Sequence, residues 1–484
     1  MREEQVKIKR PIKDTLEQFF FAKSDGTAEG LFRIGYALVL FADLLCQYGK
    51  LELLYSNQGL RVGPIDGWYT PLIVKTVYFI WLATLIALAL GVLTRWVSIL
   101  NYLILFYFFA LTPAFVGHGA DWVYFSMGFY LMFMTADRKF AMMVSSPESW
   151  GNTRAIWPLR LGQINFLFIY FGAGVAKLFD LNWLNGSAME LVFQHPLIIF
   201  DSAHWMASSS GLLMLATYLT ILWQLLAPTA LFSRKIRVFY VLTALFFHVM
   251  IDLSMRVGWF SELMLVSLFL FSDDVAFYLK KWRGAPTEKA NGEDAAPATE
   301  PVRPLSRNFL IVYLTIFLLT QTYFFSLACG EPLKVLRIPA SYSAAVTGNR
   351  PYDLVSTLEK VLFVVFEVVD RNGKRTFLPP MDSDGAFAPA YKDVKEIRRG
   401  LLMLKFASRP ITQRGWRSLL KYELLPKISE LKLAYPVRIE GFGIRERVAD
   451  VPRPFNANTV PKTLIFAATV QSPDGEVAIT IPDR

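Results

Sequence analysis

The chain has 484 residues, 54% hydrophobic and 15% aromatic, and its mean hydropathy is positive. That is too apolar for a soluble protein of this size and fits a polytopic membrane protein with a soluble appendage. The formal charge of +10 sits in short loops between apolar runs, which is topology information and argues against nucleic acid as a partner. Two cysteines, Cys46 and Cys329, with no CxxC, leave no basis for structural zinc or an iron–sulfur cluster, and no metal is expected.

The opening MREEQVKIKRPIK leads into a short amphipathic stretch and not into a small-residue cleavage site. Residues 1–28 are therefore read as a cytoplasmic N-terminal segment, with an interfacial helix over 11–28. Apolar runs follow at 30–48, 71–94, 97–116, 121–136, 159–178, 209–232, 237–252, 256–272 and 308–328. About nine transmembrane helices are expected, with the fourth and eighth short enough to be re-entrant. Basic residues gather at 95, 138–139, 154–160, 234–237 and 280–307, against Lys50, Arg61, Lys75 and Arg256 on the other side. The positive-inside rule then places the N-terminus in the cytoplasm and the chain beyond the last span outside. Cys46 and Cys329 each close an outward-running span, so a disulfide between them is open to test.

The first span holds Arg33 and Asp43. Ten residues apart, they are separated by about 15 Å of rise and roughly 80° around the axis, so they cannot pair within the helix. Arg33 is expected to snorkel to the inner surface, and Asp43 to find a donor on another helix. His118 lies in VGHGADW beyond the third span, near Asp121 and Trp122, where a loop histidine is most often solvated.

The stretch from Trp157 to His195 carries an apolar run, Leu159 to Leu178, with Lys177 at its far end after the small residues Gly172, Ala173 and Gly174. Small residues let a helix or ligand approach the backbone. A lysine there is either a snorkelling anchor or a functional group, since charge at membrane depth is costly. Trp183, Gly186, Met189 and Glu190 follow on the emerging loop; Trp183, Trp205 and Trp259 also suit an interfacial aromatic belt. His195 and His204 show no metal spacing. Gln224, within WQLLAP, is polar in mid-span, and His248 in FFHVMIDL reads as a hydrogen-bonded core histidine.

Residues 273–307 form a cytoplasmic linker, flexible where 284–304 is rich in Ala, Pro, Glu and Gly, and 308–328 is the last span. The tail, 329–484, reads as a small α+β domain. Asn372-Gly373 between strand-like runs signals a hairpin, helices are expected over 391–407 and 413–432, and three further strands follow. The expected fold is thus an α-helical polytopic membrane protein with a small extracytoplasmic C-terminal α+β domain.

The pattern FxAGVxKL followed by Trp183, Gly186, Met189 and Glu190 resembles vitamin K-dependent gamma-glutamyl carboxylases and their wider relatives, the horizontally transferred transmembrane (HTTM) domain proteins. The likeness covers about 29–272 and includes the Arg33–Asp43 spacing, Arg95, Gln163 and the Gly258-Trp259-Phe260 run after His248. It implies that Lys177 is the catalytic base, with Ala176 in place of the first lysine of the family's pair. His248, His118, Trp183 and Gly174 would then border a reduced vitamin K-type quinol, although Gly117 stands where the family has asparagine beside its histidine. The resemblance implies a membrane-embedded enzyme coupling quinol oxygenation to modification of a peptide or protein substrate, such as a glutamate, on the extracytoplasmic side. The tail lacks the larger peptide-handling region of full carboxylases. A non-enzymatic module that binds lipid or peptide, and a quinone-linked oxidoreductase without carboxylation, remain as alternatives.

Overall fold

A computed structural model describes residues 12–22, 24–59, 66–110, 119–144, 156–196, 198–283, 304–328, 333–347, 360–386, 388, 413–431, 433–447, 455–472 and 477–480. His118, Cys329, the linker over 284–303 and the helix expected over 391–407 lie outside the described residues. Cys46 is exposed.

Crossing a bilayer takes about 20 largely apolar residues. Four helices meet that need by length and composition: Pro71–Leu90, Trp157–Lys177, Arg234–Ser254 and Arg307–Leu327. The other apolar runs are built differently. Thr27–Gln47 carries Arg33 and Asp43 within its length, and Ser210–Leu225 has only 16 residues. The run at 256–272 is divided between Phe260–Ser267 and a tight turn at Leu268–Phe271.

Burial sorts the four. Of the apolar window in Trp157–Lys177, 67% is buried inside the protein, against 28–33% in the other three. This helix is therefore central. It packs along Ser210–Leu225 and also touches Gly119–Leu131 and Pro304–Ala328. The neighbours turn apolar side chains outward instead, Phe239 and Phe246 among them, as a lipid-facing surface requires.

One polar group of the first long helix differs from the sequence reading. Arg33 is fully buried and does not snorkel. Its guanidinium donates to the Ala136 carbonyl at 2.8 Å and to the Phe140 carbonyl, tying that helix to the 136–140 turn. Five fixed donors suit a guanidinium to several carbonyls at once. Asp43 accepts from Gln47 Nε2 at 2.7 Å, one turn along its own helix, and Tyr55 donates to Gln47 Oε1 at 3.1 Å. The carboxylate is buried away from lipid, with one donor on its own helix.

At the basic end of the bundle Asp274 pairs with Arg237 at 2.8 Å and Arg234 at 3.0 Å. Beside it, burial and then the charges of Asp25 and Asp274 raise the Asp273 carboxyl from 3.8 to about 6, against the pull of Lys139 and Arg160. The folded protein therefore binds this proton more tightly than the unfolded chain. The stability it contributes is present below pH 3.8 and lost as pH rises through about 6. Asp273→Asn is expected to be about 1–2 kcal/mol more stable than the parent at pH 8, after allowance for partial exposure, and equal to it near pH 4. Unfolding of both forms across that range measures it; an offset that does not change with pH would refute the assignment.

The tail contains the strands β1 (Lys360–Val369), β2 (Arg375–Phe377), β3 (Val437–Arg447), β4 (Thr463–Val470) and β5 (Val477–Thr480). They form an antiparallel sheet in the order β2-β1-β3-β4-β5. Asp370 shapes the β1–β2 turn by accepting from the Asn372 and Lys374 amides, and Gly373 takes φ +78°, which its missing Cβ permits. Trp416, on Gln413–Leu419, stacks on Phe466 with centroids 4.4 Å apart, so a helical layer covers one face. Glu367 and Glu440 stand directly opposite across β1 and β3, a repulsive placement that Arg375 relieves by bridging both. Ser418 donates to the Gln58 carbonyl, linking this helical layer to the loop after Leu51–Tyr55.

Candidate functional site

The last two turns of Trp157–Lys177 place Tyr170, Ala173 and Lys177 at i, i+3 and i+7, one stripe along the helix. That stripe forms one wall of a cavity of about 120 Å³. The second wall is Thr220 and Gln224 of Ser210–Leu225, and the third is Phe247, His248 and Ile251 of Arg234–Ser254. Met255, Val257, Phe260 and Met264 continue it, while Trp183, Met189, Val192 and Ile198 close it from the loop after the central helix.

Local chemistry fixes that loop. The Asp180 side chain accepts from the Asn182 amide at 2.8 Å and starts the short helix Leu181–Leu184. Gly186, at φ +83°, turns the chain into Ala188–Gln194 where a Cβ would strike Met214. Further on, the Phe200 amide donates to the Ser254 carbonyl and the Arg256 amide to that of Ile198. The buried Arg256 guanidinium donates to the carbonyls of Pro196 and Ile199. These bonds hold the loop over the cavity.

Lys177 is only 7% exposed. Its ammonium donates to the Ala173 carbonyl at 3.3 Å and lies 4.5 Å from the centre of the Trp183 ring. A snorkelling lysine would carry its head into water; this one is folded against an indole, where cation–π attraction holds it. Trp183 is itself buried, so it is a cavity wall and not a member of an exposed belt, unlike Trp205. His248 is 1% exposed, with Nε2 2.6 Å from the Tyr170 hydroxyl. It is both the core histidine read from sequence and a lining residue.

Of the other two expected members, one is placed elsewhere. His118 lies outside the described residues, and none of residues 119–124 lines the cavity. Gly174 meets the neighbouring helix: a Cβ there would come 2.9 Å from Gln224 Cβ and 3.1 Å from the Leu225 amide nitrogen. Gly172, by contrast, has nothing within 4 Å. Gly174→Ala is therefore expected to destabilise by about 1–3 kcal/mol, because backbone cannot move aside. Gly172→Ala should be neutral or slightly stabilising. Equal unfolding midpoints for the two variants would refute this placement.

The model for the HTTM domain matches residues 21–274, just over half of the chain and all of the cavity. The chain belongs to the HTTM domain family. HTTM domains are found in vitamin K-dependent carboxylase-related proteins. With its apolar helices, the HTTM domain marks an integral membrane protein. No solved structure matches the chain.

Sequence reasoning did not bring Tyr170 or Gln224 into the HTTM site. Tyr170 had a usable signal in its seven-residue spacing from Lys177. Gln224 had none beyond being polar in an apolar run.

Proposed function

We propose that this HTTM protein is a membrane enzyme of the carboxylase type, in which Lys177 acts as the base toward a lipophilic quinol held in the cavity. The observation that carries the reading is the burial of Lys177 in the same apolar cavity as His248. Ligand sites are largely apolar with a few placed polar groups, and this lining has that character. His248 Nδ1 is buried without a hydrogen-bond partner, a vacancy that a ligand hydroxyl would fill.

A reduced vitamin K-type quinol, with dioxygen, would supply the oxidative energy for removing a proton from a carbon acid such as a peptide glutamate. The chain's own groups do the rest. Lys177 Nζ would take the hydroxyl proton, a role open to lysine because it can exist as a free amine. The Trp183 ring lies beside that nitrogen and favours the ammonium formed when the proton arrives. Tyr170 fixes the ring of His248 through their 2.6 Å contact, and the bonded loop keeps bulk water away.

Nine crossings, a cytoplasmic N-terminus and an extracytoplasmic tail that meets a peptide or protein substrate belong to this proposal. The charge asymmetry of the sequence supports them. The test uses the full chain in lipid nanodiscs with a reduced naphthoquinone and dioxygen. Quinol consumption above that of empty nanodiscs supports an enzyme. Labelled bicarbonate fixed into a glutamate peptide would add carboxylation, and consumption without fixation would leave an oxidoreductase. No consumption at all would sink the proposal in favour of a binding module.

A further inference from the structure

The proposed base leaves one wall of the cavity unused. Gln224 is 6% exposed, lines the cavity, and has its side-chain Oε1 buried with no hydrogen-bond partner. A buried amide oxygen without a donor is costly, and proteins seldom keep one without a use. The position is also firmly set, because Gly174 lets the Gln224 backbone close on the central helix. Across the cavity stands the second orphan, His248 Nδ1. The Tyr170 hydroxyl and His248 Nε2 lie 2.6 Å apart, and which of them donates follows the tautomer of the ring. A proton on Nδ1 makes that atom a donor, and a proton on Nε2 makes it an acceptor. The cavity therefore offers one amide acceptor and one imidazole nitrogen in apolar surroundings.

We infer that Gln224 is a binding residue whose amide oxygen accepts a hydrogen bond from a hydroxyl of the ligand. The ligand class that fits is a flat aromatic ring with hydroxyl substituents, and a carboxylate or phosphate does not fit. An amide oxygen repels an anion, and Lys177 is the one cationic side chain among the described residues of the lining. The inference rests on the cavity being the ligand site proposed above, and it needs no turnover. It also selects the redox form: a quinol hydroxyl can donate to Gln224 Oε1, whereas a quinone carbonyl cannot.

The test measures binding of 1-naphthol and of 1-methylnaphthalene, equal in shape but lacking the hydroxyl, to the full chain in nanodiscs, with empty nanodiscs subtracted. Gln224→Met keeps the length of the side chain and removes the amide. The parent should prefer 1-naphthol roughly tenfold, the effect of one buried acceptor being satisfied, and the variant should lose most of that preference. Its affinity for 1-methylnaphthalene should be unchanged, and without ligand it should melt no lower than the parent. A preference that survives the substitution overturns the inference, and so does equal weakening of both probes, which marks a structural role. A parent that binds neither probe, or a variant that melts well below it, does the same. Quinol turnover is read separately, so intact discrimination beside absent turnover would reject the enzyme and keep the binding site.

Discussion

Lys177→Ala and Lys177→Arg should each lower quinol turnover by about 10²–10⁴-fold, the usual contribution of a positioned base. The arginine variant is the more telling. It keeps the positive charge and can still lie over the Trp183 ring, where Lys177 sits 4.5 Å from the centroid. It cannot give up its proton in a protein. Packing and charge would survive while the base is lost, so a fall in turnover for both variants isolates proton transfer. Binding of the naphthol probe should change far less than turnover. If both variants turn over quinol as fast as the parent, Lys177 is only an anchor held by an aromatic ring, and the mechanism is wrong.

Arg237→Met should cost about 3–5 kcal/mol of stability, because it strands a buried carboxylate. The side chains of Arg237 and Asp274 are 9% and 7% exposed, and they meet at 2.8 Å. Arg237 also donates to the Ala230 and Leu231 carbonyls at 3.0 and 3.3 Å, which ties the turn at 227–231, itself packed on the central helix, to Arg234–Ser254. Arg234 offers Asp274 a second partner, but it is half exposed and shares its charge with water. Adding Asp274→Leu to Arg237→Met should recover much of the loss, since no buried charge is then left unpaired and Arg234 is half exposed. Denaturation midpoints in one detergent measure all three forms. A single variant as stable as the parent, or a double variant worse than the single one, would contradict this account.

How much of this could be read in advance depended on whether the signal was local. The hairpin at Asn372-Gly373 was legible because its turn chemistry is written in adjacent residues. Lys177 and His248 were legible because a resemblance carried them, although they lie far apart in sequence. The HTTM match over 21–274 agrees with that resemblance. Arg33 was misread because snorkelling treats a helix as alone, whereas the 136–140 turn supplies carbonyl acceptors. The need of Asp43 for a donor was legible because a buried carboxylate requires one, and Gln47, one turn along the same helix, is one of its partners. Gly174 was assigned to a ligand because small residues serve helix packing and ligand approach alike, and only the position of Gln224 decides between them. Gln224 itself was visible as a polar residue, but its meaning lies in what it lacks, and no sequence states that.

The central helix has the lowest mean hydropathy of the four candidate spans, 1.3 against 1.8 to 2.1, and is the most buried. Those two facts bear on how the protein is made. A segment leaves the ribosome before its neighbours have assembled, and its partition into lipid then depends on its own side chains. Trp157–Lys177 carries Arg160, Gln163, Asn165 and Lys177, each unfavourable in hydrocarbon before a partner arrives. It is the poorest of the four at entering the membrane alone. Its stable placement must await Ser210–Leu225, synthesised later, whose backbone closes on Gly174. Of those four side chains, Lys177 lines the cavity and Arg160, Gln163 and Asn165 do not. This helix is thus a late arrival during biogenesis mainly through residues outside the site, and defects in the site and in membrane insertion should coincide at Lys177.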